Sequence, residues 1–223
     1  MGKVIIQEET TKNPISLIGK EAGVCWGADV NDDVKNYRRG FDCINSNHGR
    51  TLEFPQVYMI LSGYSIRFGR EFYTHIAGGP SRLQSSTRYI NYAKGFEYII
   101  PKSVANNPEA EKLYIETMDV IRKNCKQLED MGIPREDSAM QLPLAMTSNI
   151  VVRTNLRHLV DMSRQRMCSR AFWEFRQFMN DLIKTLEDYS PEWKKLVSMG
   201  LFHAKCDDLG YCPEKKGCGR HEN

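Results

Sequence analysis

The sequence lacks the features that would place it in several large protein classes. It contains no run of about 18 apolar residues, so we expect no membrane-spanning helix. The segment Met1–Glu9 has neither the apolar core nor the cleavage site of a signal peptide and is typical of a first strand. Neither a glycine-rich dinucleotide fingerprint nor a Walker loop is present, so we expect any nucleotide to be bound outside those two folds.

Strong charge imbalance is also missing. With 31 basic and 28 acidic residues the net charge is only +3, which suits a small anionic ligand and argues against nucleic acid, whose binding proteins carry clustered basic faces. The seven cysteines are an odd number, and four of them are scattered: Cys25, Cys43, Cys125 and Cys168. This usage favours a reduced, cytoplasmic chain over a disulfide framework.

The apolar pattern and the capping residues predict strands and helices. Phe54–Ile66 is so rich in apolar residues that periodicity alone leaves strand and buried helix open. The strands predicted elsewhere lie at the N-terminus, at Phe96–Pro101 and at Ile150–Val152. The predicted helices cover Ile66–His75, Asn107 to Gly132, Leu156–Asp188 with a break near Cys168, and a short segment from Ser190.

The segment Arg82–Arg88 is a candidate anion site. It offers Gln84, two serines, a threonine and an arginine in close succession after a loop that contains two glycines and Pro80. Hydroxyl and main-chain N–H groups donate to phosphate oxygens, and arginine adds a charge-assisted contact. A polar surface turn is the alternative from composition alone.

Two further segments carry residues suited to ligand recognition. Thr154–His158 begins a predicted helix, where unpaired N–H groups favour an anion, although Thr154 or Asn155 could equally be a plain cap. Arg164–Arg176 combines arginines with Phe172, Trp173 and Phe175. Arginine suits planar recognition of a base edge or phosphate, but an ordinary amphipathic helix with Arg166 or Arg170 paired to Glu174 explains the same composition.

The end of the chain contains a loose set of metal-binding residue types. The spacing Cys-x5-Cys-x5-Cys, with a histidine nearby, could supply zinc ligands, although the paired Cys-x2-Cys of a strong zinc signature is missing. The candidate ligands are His203, Cys206, Cys212 and Cys218. Thiols without a metal on a polar tail are the alternative.

Taken together, three ordered segments resemble the flavin-dependent thymidylate synthases. They are Arg70–Tyr89, then Leu142–Leu144 followed by Thr154–Arg157, and finally Arg166 with Ala171–Glu174. The resemblance implies the α/β (α+β) fold of that family, with a central sheet, long helices and a homotetramer whose active sites lie at subunit interfaces. We therefore expect a single domain over residues 1–200 and a cysteine-containing tail over 201–223.

The resemblance also implies an activity and its reactants. It implies reductive methylation of dUMP to dTMP, with FAD as cofactor, NADPH as reductant and methylenetetrahydrofolate as carbon donor. Arg166 matches the arginine that binds the pyrimidine ring, and Ser86 matches a serine whose role, chemical or only binding, stays open. The positions that match flavin contacts are Thr51, Thr74, His75, Ile76, Gln84, Asn155, Arg157 and Asp161. Those that match nucleotide contacts are Arg70, Glu71, Gln84, Ser85, Ser86, Thr87, Arg88 and Arg166.

The chain departs from the family pattern at two places. Only His75 remains of the flavin-contacting Arg-His-Arg, and Arg82 is a candidate to replace the lost charge. An arginine expected shortly before Leu142 is replaced, by spacing, by Ala139. The second departure leaves open an enzyme that methylates or hydroxymethylates another pyrimidine nucleotide. Two further alternatives are a non-catalytic flavin- or nucleotide-binding paralogue and a nucleic-acid module that uses the cysteine tail.

Overall fold

The computed structural model describes residues 2–222 and contains strands and helices in an α+β arrangement. Its strands are β1 (Lys3–Ile6), β2 (Gln56–Ser65), β3 (Ser81–Gln84) and β4 (Thr147–Asn155). Its helices are α1 (Pro14–Cys25), α2 (Asp33–Asn45), α3 (Ile66–Phe72), α4 (Lys102–Ala105), α5 (Pro108–Asp130), α6 (Arg135–Ser138), α7 (Leu156–Arg166), α8 (Trp173–Tyr189), α9 (Pro191–Ser198) and α10 (Lys205–Leu209). In this described part of the chain, no helix has the length and apolar character needed to cross a bilayer.

The four strands form one sheet in the order β1-β2-β4-β3. The ambiguous apolar stretch from Phe54 is a strand, because alternate residues of β2, such as Val57, Met59 and Leu61, are buried. The same alternation in β4 confirms the strand predicted around Ile150. The predicted first strand is also confirmed.

The chain divides into two compact units. The first comprises the chain up to Lys3 together with Leu61–Thr74 and Leu83–Ile150. Its core is built from Phe96, Met118 and Met146. Met118 belongs to α5, which begins as predicted, with the side chain of Asn107 accepting hydrogen bonds from the main-chain N–H groups of Glu109 and Ala110.

One strand predicted in the first unit is wrong. The segment Phe96–Pro101 makes only an isolated bridge, between Tyr98 and Met146. Two main-chain hydrogen bonds flank this bridge, from the N–H of Thr147 to the oxygen of Glu97 at 2.9 Å and from the N–H of Ile99 to the oxygen of Ala145 at 3.0 Å, and Pro101, which has no N–H to donate, leads directly into α4.

The second unit comprises Val4–Ile60, His75–Arg82 and the chain from Val151 onward. It contains α1 and α2, which the sequence patterns did not predict. These helices pack so closely that a Cβ atom on Gly19 would lie 1.8 Å from the main-chain oxygen of Asn36, and one on Gly40 would lie 1.9 Å from that of Ile15. The glycines that lower helix propensity are therefore the residues that allow this contact.

The helical stretch at the end of the second unit follows the prediction. It is broken as expected, with α7 ending at Arg166 and α8 beginning at Trp173. Ser190 caps α9 through the N–H of Trp193, whose own indole Nε1 donates to the oxygen of Thr11 at 2.8 Å. The division into a domain over 1–200 and a tail over 201–223 stays a prediction.

Candidate functional site

Arg166, at the end of α7, lies between an acceptor and an aromatic ring in the second unit. Its Nε donates to Nε2 of His75 at 2.8 Å. The carbon of its guanidinium group lies 4.5 Å from the centre of the Phe175 ring. A hydrogen bond in the guanidinium plane and a ring below it together fix the orientation of the cation.

His75 is suited to accept this bond because it stays neutral. The side chain is buried, at 8% exposure, and burial, assisted by the charge of Arg166, lowers its pKa from 6.5 to about 4. At neutral pH the ring therefore carries one proton, and acceptance at Nε2 requires that proton to lie on Nδ1.

Arg82 also contacts His75, through a hydrogen bond from its guanidinium to the main-chain oxygen. The intervening loop turns back through Gly78 and Gly79, both with positive φ, which glycine adopts without strain. The candidate replacement for the lost charge is thus placed beside the one histidine that the sequence retains from Arg-His-Arg.

A second buried imidazole belongs to the same group of side chains. His158 lies with its ring centre 6.4 Å from that of His75, and its Nδ1 is 2.6 Å from Oγ1 of Thr154. Burial, with the charge of Arg82, lowers the pKa of His158. His158 and Phe175 lie in segments that the sequence analysis considered, but neither was assigned a role of its own, and the four-residue spacing of Thr154 and His158 was the signal available for the former.

The start of α7 brings together several of the predicted flavin contacts. Asn155 caps the helix by accepting from the N–H of His158 at 2.9 Å. Arg157 is exposed, and its guanidinium lies 3.3 Å from Glu53 and 3.9 Å from Asp161. Glu53 ends the 3-10 turn that also holds Thr51. Ile76 belongs to the same unit, with 76% of its surface exposed.

The first unit holds most of the predicted nucleotide contacts. Arg70 and Gln84 line a cavity of about 320 Å³ together with Ile66 and Tyr73. Nε2 of Gln84 donates to the hydroxyl of Ser148 at 3.2 Å. Glu71 lies in α3 beside Arg70, and its main-chain oxygen accepts from the hydroxyl of Thr74 at 2.7 Å.

The loop after Gln84 is organised by turn contacts. The hydroxyl of Ser86 accepts from the N–H of Arg88 at 3.2 Å, and Thr87 lies exposed between them. Arg88 pairs with Glu136 at 2.8 Å, in a position exposed enough for the ion pair to contribute little to stability. Ser85 pairs through its N–H with the oxygen of Asn149 at 2.9 Å. A turn contact orients the Ser86 hydroxyl, whereas activation as a nucleophile requires a base.

The second unit also contains a cavity of about 660 Å³ with a cationic lining. Arg166 and Arg176 contribute from the helices, and Cys168 contributes from the segment that connects them. Arg170, which also lines it, pairs with Glu214 of the tail at 3.0 Å. Arg170 and Glu174 do not lie on one continuous helix, because α7 ends at Arg166 and α8 begins at Trp173.

The predicted zinc ligands of the tail do not form one group. Both ring nitrogens of His203 have other partners, at 2.7 Å from the oxygen of Gly200 and at 2.6 Å from Asp208. Among residues 2–222, the group of three or more His, Cys, Asp or Glu side chains whose ligand atoms all lie within 4.8 Å of one another consists of Cys206, Asp207 and His221. Cys206 is thus the member of the predicted set that lies in such a group.

Comparison with known proteins gives consistent matches. The family model described as "Thymidylate synthase complementing protein" matches residues 8–192. The chain is 26% identical to the flavin-dependent thymidylate synthase of Nitratidesulfovibrio vulgaris, over 95% of this chain and 92% of that protein. It is 33% identical to the flavin-dependent thymidylate synthase of Thermococcus onnurineus, over 75% of this chain and 68% of that protein.

A solved structure supports the fold. Thymidylate synthase X from Helicobacter pylori, crystallised with FAD and dUMP, superposes with a TM-score of 0.66 at 18% identity, covering 91% of this chain and 99% of that one. The matched range 8–192 includes every candidate flavin and nucleotide contact, from Thr51 to Arg166, and it ends before the predicted tail over 201–223.

Proposed function

Because the chain belongs to the family of flavin-dependent thymidylate synthases, which are methyltransferases, we propose that it converts dUMP to dTMP by FAD-dependent reductive methylation. Methylenetetrahydrofolate is the proposed carbon donor and NADPH the proposed reductant. The observation that supports the proposal most is the position of the Arg166 guanidinium, which donates a hydrogen bond to neutral His75 and lies over the Phe175 ring.

Arg166 is the residue to which we assign activation of the pyrimidine. Carbon 5 of uracil is a poor nucleophile until negative charge develops on the ring, and an oriented guanidinium stabilises that charge. Because His75 holds the Nε side of the group, the cation is positioned before the nucleotide binds and needs little reorganisation during the reaction.

The residues at the start of α7 fit the binding of FAD. Arg157 is an exposed cation beside the first turn of an 11-residue helix, where main-chain N–H groups favour a pyrophosphate. A Cβ atom on Gly49 would lie 3.3 Å from this guanidinium, so the glycine keeps the approach to it open. FAD, when bound, supplies the hydride chemistry that no side chain provides. We assign its binding to Thr51, Thr74, His75, Ile76, Gln84, Asn155, Arg157 and Asp161.

The polar loop and α3 of the first unit are the proposed dUMP site. Arg70 and Arg88 bring positive charge for the phosphate, and Gln84 is a donor and acceptor suited to a base edge or ribose. We propose that Glu71, Ser85 and Thr87 complete this set. We assign a binding role to Ser86, because its hydroxyl is held in a turn. Following the resemblance, we also propose a homotetramer with active sites at subunit interfaces.

A second candidate function is methylation or hydroxymethylation of a different pyrimidine nucleotide. It is favoured by Ala139, which begins a 3-10 turn (Ala139–Gln141) that contains no cationic side chain where the family pattern predicts an arginine. A weaker phosphate or base contact at this place would relax the preference for dUMP.

The proposal is tested by the flavin spectrum and the product. We expect the purified protein to retain FAD, to change its visible spectrum on addition of dUMP, and to give dTMP as identified by mass spectrometry. A product with an added hydroxymethyl group, or turnover of another pyrimidine nucleotide alone, would favour the second function. Bound FAD without dUMP-dependent oxidation of NADPH would contradict both and leave a non-catalytic paralogue.

A further inference from the structure

The segment from Lys205 to Glu222 folds back on itself with little apolar surface to hold it. Its two large apolar side chains, Leu209 and Tyr211, are exposed by 38% and 51%. Even so, the N–H of Cys212 donates to the oxygen of Glu222 at 2.7 Å, which closes the segment into a loop. Hydrophobic burial alone is a weak explanation for such a fold, and small polar segments are commonly held by a metal or a disulfide instead.

Closure of this loop brings three metal-binding side chains together. The ligand atoms of Cys206, Asp207 and His221 lie within 4.8 Å of one another. Ligands at about 2.0–2.3 Å from a zinc ion lie roughly 3.5 Å apart in a tetrahedron, so small side-chain movements would bring these atoms to coordination distance. Cys206 precedes Asp207 directly, whereas His221 is supplied by the end of the loop, next to Glu222.

The chemistry of the three groups favours zinc. Thiolate and imidazole are ligands that zinc prefers, and hard cations such as magnesium and calcium select oxygen ligands instead. Structural zinc sites take four protein ligands. Three more thiols, those of Cys168, Cys212 and Cys218, line the same cavity as Cys206 and His221.

We propose that Cys206, Asp207 and His221 bind a structural zinc ion, with the fourth ligand coming from a thiol of the same cavity. Two thiolates and one carboxylate around a divalent ion leave a net negative charge, which the guanidinium of Arg220 offsets from 3.5 Å away from Asp207. The ion orders part of the lining of the cavity to which Arg166 also contributes. The zinc site stands independently of the proposed thymidylate synthesis.

Ion pairs alone are the competing explanation for the same arrangement. His221 lies 2.8 Å from Asp207, and their side chains are exposed by 27% and 34%. Exposed pairs of this kind contribute little, on the order of 0–1 kcal/mol, and are screened by salt. The two explanations differ in whether the loop takes up a metal stoichiometrically.

The test is metal content followed by cobalt substitution in the full chain, purified with a phosphine reductant. We expect about one equivalent of zinc, removable by a chelator, and visible bands of tetrahedral cobalt on titration with Co²⁺ in the red region, where flavin does not absorb. Cys206→Ser and His221→Gln should each weaken cobalt binding by more than about tenfold, since each removes a ligand.

Matched controls separate ligand loss from misfolding. Cys25→Ser alters an exposed cysteine of α1, and His203→Gln alters a histidine outside the group, so both should bind cobalt like the unchanged protein. Single serine substitutions at Cys168, Cys212 and Cys218 identify the fourth ligand. Helix content and bound flavin are measured in every variant. Absence of stoichiometric cobalt binding, or equal binding by Cys206→Ser and the unchanged protein, would overturn the proposal.

Discussion

The hydrogen bond between His75 and Arg166 makes a quantitative prediction for the substitution His75→Phe. Phenylalanine retains a ring of similar size beside Phe175, whose centre lies 5.4 Å from that of His75, but it removes the acceptor at 2.8 Å from Nε of Arg166. A hydrogen bond to a charged group contributes about 1.5–3 kcal/mol. If this energy positions the cation in the transition state, kcat falls roughly 10- to 150-fold.

The assay is steady-state formation of dTMP with varied dUMP, together with the bound flavin and thermal stability of each variant. We expect the loss mainly in kcat, because the guanidinium remains next to the Phe175 ring and still attracts the nucleotide. His75→Gln is the matched control, since its amide oxygen can accept the same bond and should restore much of the rate. Full activity of His75→Phe, or equal impairment of the two variants, would refute a positioning role for His75.

Three other predictions follow from single contacts. Because folding lowers the pKa of His75 from 6.5 to about 4, the folded protein disfavours protonation of this ring. The free energy of unfolding should therefore keep its full value above pH 6.5 and fall by about 3 kcal/mol as the pH falls toward 4. Urea unfolding of the unchanged protein and of His75→Gln across this pH range measures the loss. Ser86→Ala should raise KM for dUMP while leaving most of kcat, whereas loss of all turnover would indicate a chemical role. Gly40→Ala places a Cβ 1.9 Å from the oxygen of Ile15 and should destabilise the protein by more than about 2 kcal/mol, against a negligible effect of Lys20→Ala on the exposed side of α1.

Elements marked by local chemistry could be predicted from the sequence. Asn107 before Pro108, and Ser190 before Pro191, each define a helix start by a cap and a fixed φ, and the structure confirms both. The helices α1 and α2 were missed because they depend on close packing through Gly19 and Gly40, which propensity counts against a helix. The formation of these two helices depends on a tertiary contact, and a local sequence pattern carries no information about that contact.

In the candidate site, too, single residues could be predicted from the sequence, whereas the contacts between them could not. Resemblance identified Arg166 and His75 separately, but their hydrogen bond joins residues 91 positions apart and could not be read from spacing. The tail shows this even more clearly, because the regular cysteine spacing drew attention to His203. Folding of the loop brings His221 to Cys206 and pairs His203 with Asp208 instead.

Formation of dTMP by the variant Arg166→Ala tests the central claim most directly. With FAD, NADPH, methylenetetrahydrofolate and dUMP present, we expect this variant to retain flavin but to lose dTMP formation, while Arg38→Ala, which changes an exposed arginine of α2, keeps the full rate. Near-normal dTMP formation by Arg166→Ala would contradict the account.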